Sequence, residues 1–263
     1  MSAVEGLGIG WLGVAGMMAV LWFWQRARRD ATVVDVGWTL GFGLVALLGA
    51  VFGSGEPARR WLVGMVAAVW SLRLGLHLLL SRILGHPQED GRYRALRTKW
   101  GDRAQPYFFV FFQAQALLAA LFAGAPMLAM IRPGPFPSFL DLVGLAVGLI
   151  AIFGEGLADR QLSGFRTDPA NRGRTCRSGL WRYSRHPNYF FEWLHWWAYV
   201  LIAAGGPWWG LTLLAPALML YFLLRVTGIP ATEAQALASR GEDYRDYQRT
   251  TSAFIPWFPR REE

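Results

Sequence analysis

An all-α, polytopic membrane bundle of about seven helices is the fold class this sequence predicts, and three observations predict it. Of its 263 residues, 54% are hydrophobic and 17% charged, where a soluble domain carries about 25% charge. The apolar residues fall in long blocks: Leu7–Trp24, Val33–Phe52, Trp61–Leu84, Phe108–Ile131, Phe139–Ala158, Tyr189–Ala204 and Trp208–Val226. Each comes near the roughly 20 residues that a helix needs to cross a bilayer core. The charges collect between the blocks, and they do so unevenly.

The first block is not a cleavable signal, which would want a positive segment before it and a small-residue cleavage site after it. Here Glu5 precedes the block, and Arg26, Arg28 and Arg29 follow. Basic residues near the ends of spans stay in the cytoplasm. With the N-terminus outside, the segments Arg26–Thr32, Gly85–Pro106, Asp159–Pro187 and the tail from Thr227 lie inside. They hold 20 of the 26 Arg and Lys, against three (Arg59, Arg60, Arg132) outside. The expectation is one integral membrane domain over residues 1–263, N-out and C-in, with no linker and no internal repeat. It would sit in a bacterial inner membrane with its polar loops cytoplasmic.

The net charge of +8 follows from this topology and from attraction to anionic lipid, and implies no nucleic-acid partner. Fourteen Trp suit the aromatic belts of a membrane interface. A single Cys176 excludes an internal disulfide. Neither it nor His77, His86, His186 and His195 show the spacing of a zinc site, so no metal is expected. No Gly-x-Ser-x-Gly elbow marks a serine hydrolase.

Within the spans, Gly37 and Gly41 form a small-xxx-small pair that lets helices approach closely. Asp35 is an acid inside an apolar span. It is either a functional group by its cost there or a helix cap near the headgroups. Arg73 and His77 share a helix face, as do Glu155 and Asp159. A structural pairing of Arg73 with Asp35 or Glu155 is the plainer reading. The segment Asp159–Pro187 carries seven arginines among Gly, Ser and aromatic residues. Arginine and backbone N–H groups suit a phosphate-bearing ligand, and Trp181 and Tyr183 suit a flat ring. Asn188 and Glu192 follow one turn apart at the start of the sixth span. His186 reads equally as a cap or a packed residue.

The run Gly179-Leu-Trp-Arg-Tyr-Ser-Arg-His-Pro-Asn-Tyr-Phe-Phe-Glu-Trp193 resembles the bacterial membrane proteins of domain-of-unknown-function family 1295, related to the C-terminal domain of steroid 5α-reductases. The resemblance extends to Asp35-Val-Gly-Trp38, Trp70-Ser-Leu-Arg73, Glu89-Asp-Gly-Arg-Tyr93, Glu233 and Gly241-Glu-Asp-Tyr244-Arg-Asp-Tyr247. It implies an NADPH-dependent reduction of an activated carbon–carbon double bond in a lipophilic, steroid- or isoprenoid-like enone. Carried over by position, Asp159, Arg174, Asn188 and Glu192 would hold the dinucleotide, with Tyr183, Arg185, His186, Tyr244 and Tyr247 as additions. The reductases place a Gln-Glu pair on the second span and a Tyr on the third. Val34-Asp35 and Trp70 stand there instead. The resemblance therefore leaves Tyr93 or a protonated Asp35 as the donor to the substrate carbonyl, with Arg73 or Glu89 orienting it.

Membrane methyltransferases of the isoprenylcysteine and phospholipid type resemble the chain in the same places, through Arg-His-Pro-x-Tyr and a C-terminal Glu followed by Gly-Glu-x-Tyr. S-adenosylmethionine would then take the place of NADPH. A non-enzymatic lipid-binding scaffold is the third class, and the intramembrane Asp35, Arg73 and Glu155 argue against it. Composition leaves the oligomeric state open. The charge asymmetry makes a direct prediction: a reporter fused after Glu263 reads cytoplasmic and one fused before Met1 reads external. A C-terminus on the outer face overturns the orientation.

Overall fold

The computed structural model describes residues 1–85 and 88–260; His86 and the terminal Arg261, Glu262 and Glu263 lie outside the described residues. Ten α-helices follow in order: α1 Ala3–Arg28, α2 Val33–Phe52, α3 Pro57–Leu78, α4 Gly91–Trp100, α5 Ala104–Met130, α6 Phe139–Thr167, α7 Pro187–Ala203, α8 Leu214–Tyr221, α9 Ile229–Arg240 and α10 Glu242–Thr250. π-helical turns prolong α3 over Leu79–Leu84 and α8 over Phe222–Val226. No strand occurs among the described residues.

Among the described residues, six helical stretches are long and apolar enough to cross a membrane: Ala3–Arg28, Val33–Phe52, Pro57–Leu84, Gly91–Met130, Phe139–Thr167 and Trp209–Arg240. The chain is an integral membrane protein. The sixth expected block, Tyr189–Ala204, is also helical, but α7 has 17 residues. At 1.5 Å per residue it is about 26 Å long, short of a hydrocarbon core about 30 Å thick. Val4, Leu12, Val20 and Phe23 of α1 are exposed, as befits side chains whose solvent is lipid. The same row on a water-soluble monomer would be an unusual apolar patch.

Two of the expected loops hold helices. The segment Gly85–Pro106 contains α4, which begins where Asp90 accepts a hydrogen bond from the Arg92 N–H. The arginine-rich segment from Asp159 remains part of α6 as far as Thr167. It stops there because Asp168 precedes Pro169, and a residue before proline disfavours the helical region.

The chain packs as two compact units, Met1–Leu142 with Tyr199–Thr212, and Val143–Ala198 with Leu213–Glu263. In the first, α2 is the central helix: 67% of its membrane span is buried, against 22% for α1. Its glycines make this possible. A Cβ on Gly41 would stand 2.7 Å from Val14 of α1, and one on Gly37 would stand 2.5 Å from Leu21. On the α3 side, Ser71 donates to the Thr39 carbonyl (2.5 Å). The rings of Phe42 and Trp70 meet edge-on at 5.4 Å, and those of Trp38 and Phe122 at 5.7 Å.

Arg59 is one of the three basic residues expected outside, yet it is fully buried. Its fork binds Asp141 through Nε at 2.9 Å and Nη2 at 3.1 Å. Its remaining hydrogens go to the carbonyls of Arg132 (2.6 Å) and Pro135 (2.7 Å). Arg132 joins the same carboxylate at 2.9 Å. Ser138 and Asp141 cap the start of α6 reciprocally, with Ser138 N–H donating to Asp141 at 2.8 Å and Asp141 N–H to Ser138 at 3.3 Å. One carboxylate thus ties α3 to the connection between α5 and α6.

In the second unit, Trp181 donates its indole N–H to the Ala158 carbonyl of α6 (2.9 Å), and Trp193 of α7 donates to the Pro216 carbonyl of α8 (3.1 Å). Trp181 is buried, so it is a packing residue rather than a stacking surface. Arg59→Met leaves Asp141 short of its main counter-charge and two carbonyls without donors. It is expected to cost about 3 kcal/mol of stability by denaturant unfolding in detergent. Arg59→Lys, which keeps the charge without the fork, should fall between. A Met variant that unfolds with the wild type refutes this.

Candidate functional site

The expected residues fall in both units: Asp35, Arg73, Glu89 and Tyr93 in the first, and the expected cofactor residues, in several groups, in the second. In the first unit Asp35 stands in the opening turn of α2. Tyr93 of α4 donates its phenol hydrogen to Asp35 Oδ1 at 2.5 Å. The other oxygen, Oδ2, takes Arg92 Nη2 at 2.8 Å and Arg82 Nη1 at 3.3 Å. All three donors point at Asp35, so it serves as acceptor. Of the two expected donors, Tyr93 is the one that donates in this arrangement, to Asp35 itself. Tyr93 is only 4% exposed, and Asp90 backs the arginines through Arg92 Nε at 3.1 Å and Arg82 at 3.6 Å. Burial alone would raise the Asp90 carboxyl. The hydrogen bond and charge of Arg92, with Arg82, outweigh burial and hold it below the usual carboxylate range.

Of the expected orienting residues, Glu89 is bound elsewhere. Glu89 accepts from the Ala31 N–H (2.8 Å) and pairs with Arg97 (2.7 Å), which fastens the α1–α2 turn to α4. Arg73 is half-buried on α3, and the guanidinium groups on Asp35 are those of Arg82 and Arg92. Neither of these two was picked out from the sequence.

In the second unit Glu233 of α9 is a hub. It receives Arg185 Nε at 2.7 Å, Gln248 Nε2 at 2.7 Å, His186 Nε2 at 3.2 Å and the Tyr244 hydroxyl at 3.4 Å. Arg185 also donates to the carbonyls of Gln248 (3.0 Å) and Thr251 (2.6 Å). Tyr247 donates to the Trp181 and Ser184 carbonyls. These four expected cofactor residues spend polar groups on binding α9 and α10 to the segment before α7. Burial pushes the phenols of Tyr244 and Tyr247 up, to well above their ordinary value. Asn188 Nδ2 donates to Asp159 Oδ1 at 3.2 Å, bringing two more expected residues together, and Glu192 lies one turn further along α7. Tyr183 meets Phe258 edge-on at 5.9 Å.

Arg174 lines a cavity of about 540 Å³ with Asn171, Thr175, Arg177, Ser178 and Asp243. Arg177 is held there by Asp243, through the backbone carbonyl (2.6 Å) and Oδ1 (3.0 Å). Two polar atoms of the wall are buried with no hydrogen-bond partner among the described residues: Thr175 Oγ1 and Asp243 Oδ2. A family model, "Protein of unknown function (DUF1295)", matches residues 21–251. The chain belongs to DUF1295. No curated protein and no solved structure matches this DUF1295 chain.

Thr175 and Asp243 carried no signal in the sequence, since Thr175 sits between two arginines and Asp243 in a charged helix start. No group of three His, Cys, Asp or Glu able to hold a metal occurs among the described residues. His186 is held below its ordinary 6.5 by burial, which Glu233 only partly offsets. An unfolded chain takes up a proton near that value and the folded one resists it. The His186 contribution to stability is therefore full above pH 6.5 and is lost as pH falls below it. Unfolding temperatures of this DUF1295 protein in detergent should decline from pH 7 towards 5. His186→Gln should flatten that decline, and two parallel curves would assign it to other groups.

Proposed function

We propose that the chain is a membrane-embedded, NADPH-dependent reductase of an activated carbon–carbon double bond in a lipophilic enone. One observation carries the reading: the Arg174 cavity offers a guanidinium, an unpartnered hydroxyl and an unpartnered carboxylate oxygen together. A buried polar atom without a partner costs free energy, and this set suits a phosphorylated sugar. Arg174 fits a phosphate, as a charge-assisted donor. Thr175 Oγ1 can donate or accept, and Asp243 Oδ2 can accept from a sugar hydroxyl. Asp159 and Asn188, paired with each other at the start of α7, would be further contacts to the dinucleotide. When bound, NADPH would supply the hydride.

The protein's own part in the chemistry falls to Tyr93. The carbonyl of a conjugated enone gathers negative charge as its double bond is reduced, and a donor placed in advance in a dry site stabilises that charge. Tyr93 would turn its hydroxyl hydrogen from Asp35 to the substrate oxygen. Arg92 and Arg82 would keep the Asp35 carboxylate paired while it does so. The active-site side would be cytoplasmic, in a bacterial inner membrane.

The methyltransferase reading has one observation of its own. The hub around Glu233 joins the segments Arg185-His186 and Tyr244 that carry that resemblance. Titration of the purified chain with NADPH, NADH and S-adenosylmethionine separates the two. Arg174→Ala should weaken NADPH about ten- to a hundredfold, the loss of roughly 1.5–3 kcal/mol, and leave S-adenosylmethionine unaffected. In single-turnover oxidation of bound NADPH by a panel of steroid and isoprenoid enones, Tyr93→Phe should bind the nucleotide and lose turnover. If no enone oxidises NADPH while S-adenosylmethionine binds and methylates a lipid or thiol, the reductase reading is wrong.

A further inference from the structure

Beyond α10 the chain forms an extended strap, Ser252–Arg260, outside the residues matched by the family model. The strap is pinned along its length. Arg185 N–H donates to the Ser252 carbonyl, Ser184 Oγ to the Phe254 carbonyl, Trp257 N–H to the Tyr183 carbonyl and Arg260 N–H to the Thr250 carbonyl, each at 2.8 Å. Phe254 turns inward, against Phe190 at 5.9 Å and Trp193 at 5.8 Å. Its neighbours turn outward: Ile255 is 59% exposed, Trp257 70% and Phe258 76%. Packing does not require three large apolar side chains on the outside of a tightly held segment.

Beside them lies a second cavity of about 450 Å³, whose wall includes Arg185, Arg249, Arg260, Thr250 and Ser252. Its charge is small. Arg185 is paired with Glu233 and Arg249 with Asp246, which leaves the Arg260 guanidinium as the surplus positive group of the described wall. Arg185 has one nitrogen, Nη2, that makes none of its hydrogen bonds to Glu233, Gln248 or Thr251. One net positive charge, spare guanidinium hydrogens and the hydroxyls of Thr250, Thr251 and Ser252 match a singly charged phosphodiester. They match a nucleotide poorly, because it brings several negative charges and a polar sugar to a rim of Ile, Trp and Phe.

We infer that this cavity binds the headgroup of an anionic phospholipid, with Ile255, Trp257 and Phe258 set into the glycerol and acyl region beside it. Trp is at home at that depth of a bilayer, and basic groups at the membrane surface draw anionic lipid. The strap is pinned to Tyr183, Ser184 and Arg185, just before the start of α7, an apolar helix in a membrane protein, so lipid is the solvent at hand. Bound lipid would cover the apolar row and hold the strap against Tyr183 and Arg185.

The test uses the full chain in detergent, incubated with phosphatidylglycerol or phosphatidylcholine of the same acyl chains, with retained lipid counted by native mass spectrometry. Wild-type protein should retain phosphatidylglycerol at least tenfold more tightly than phosphatidylcholine. Arg260→Gln should remove most of that preference, and Trp257→Ala should weaken both lipids. Arg182→Gln, at an exposed arginine outside the cavity wall, should change neither. Arg260 and Trp257 are exposed, so unfolding temperatures near the wild type are expected and are measured alongside. Equal retention of the two lipids, or an Arg260→Gln variant that keeps the preference, overturns the proposal. So does displacement of the lipid by inorganic phosphate or by NADPH, which would make the cavity a site for soluble anions. None of these outcomes depends on whether the chain reduces enones.

Discussion

A charge removed from water must find its counter-charge inside the protein, and most of this architecture follows from that constraint. The desolvation penalty of an ion is several kcal/mol even after relaxation, and a membrane offers no water to repay it. The chain meets it with carboxylate hubs, each serving several donors. Asp141 takes Arg59, Arg132 and Ser138. Asp35 takes Tyr93, Arg92 and Arg82. Glu233 takes Arg185, His186, Gln248 and Tyr244. In every case at least one donor comes from a segment distant in sequence (Arg59 for Asp141, Arg82 and Arg92 for Asp35, Arg185 for Glu233), so satisfying the acid also fixes the chain.

The three hubs differ in what they leave available. Around Asp141 nothing is accessible, and its role is to seat the first turn of α6. Around Glu233 most polar capacity is spent on neighbours, and the hub works as a fastener for the last two helices. The Asp35 and Glu233 hubs each include a phenol, but Tyr93 meets Asp35 at 2.5 Å whereas Tyr244 stands 3.4 Å from Glu233. Under the proposed function the Tyr93 hydrogen has a choice of acceptor. That choice is what separates a structural cluster from a chemically usable one. Arg174 and its neighbours show the complementary case, where hydroxyl and carboxylate atoms lie buried without a partner.

Apolar run length is a local property, so the spans were legible from the sequence; Val33–Phe52 is both an expected block and α2, whereas α6 runs on to Thr167 beyond the expected Ala158. The sixth block, Tyr189–Ala204, reads as α7, kept short because Pro187 fixes its start and Gly205 and Gly206 follow its end. Helix α4 was not legible, since its charged face breaks the apolar pattern while its helical contacts do not. Arg59 illustrates a different limit. The charge count places it correctly near a span end, but nothing local says that its fork will be enclosed by Asp141, 82 residues away. The Asp35–Tyr93 contact was half legible. Both residues stand out as polar groups near spans, whereas the identity of the arginines that complete the hub is set by helix phase.

That phase has a consequence for the length of the chain. Arg82 reaches Asp35 from within the π-helical turn Leu79–Leu84, a stretch wound more loosely than α3 before it. A π turn holds one residue more than an α turn would. Removing any single residue there would let the helix rewind, swinging Arg82 about 100° around the axis. The acid would lose one of its two guanidinium groups although neither residue had been altered. Insertions and deletions in this short stretch are therefore read by the protein as rotations, and this hub can tolerate changes of side chain there more readily than changes of count.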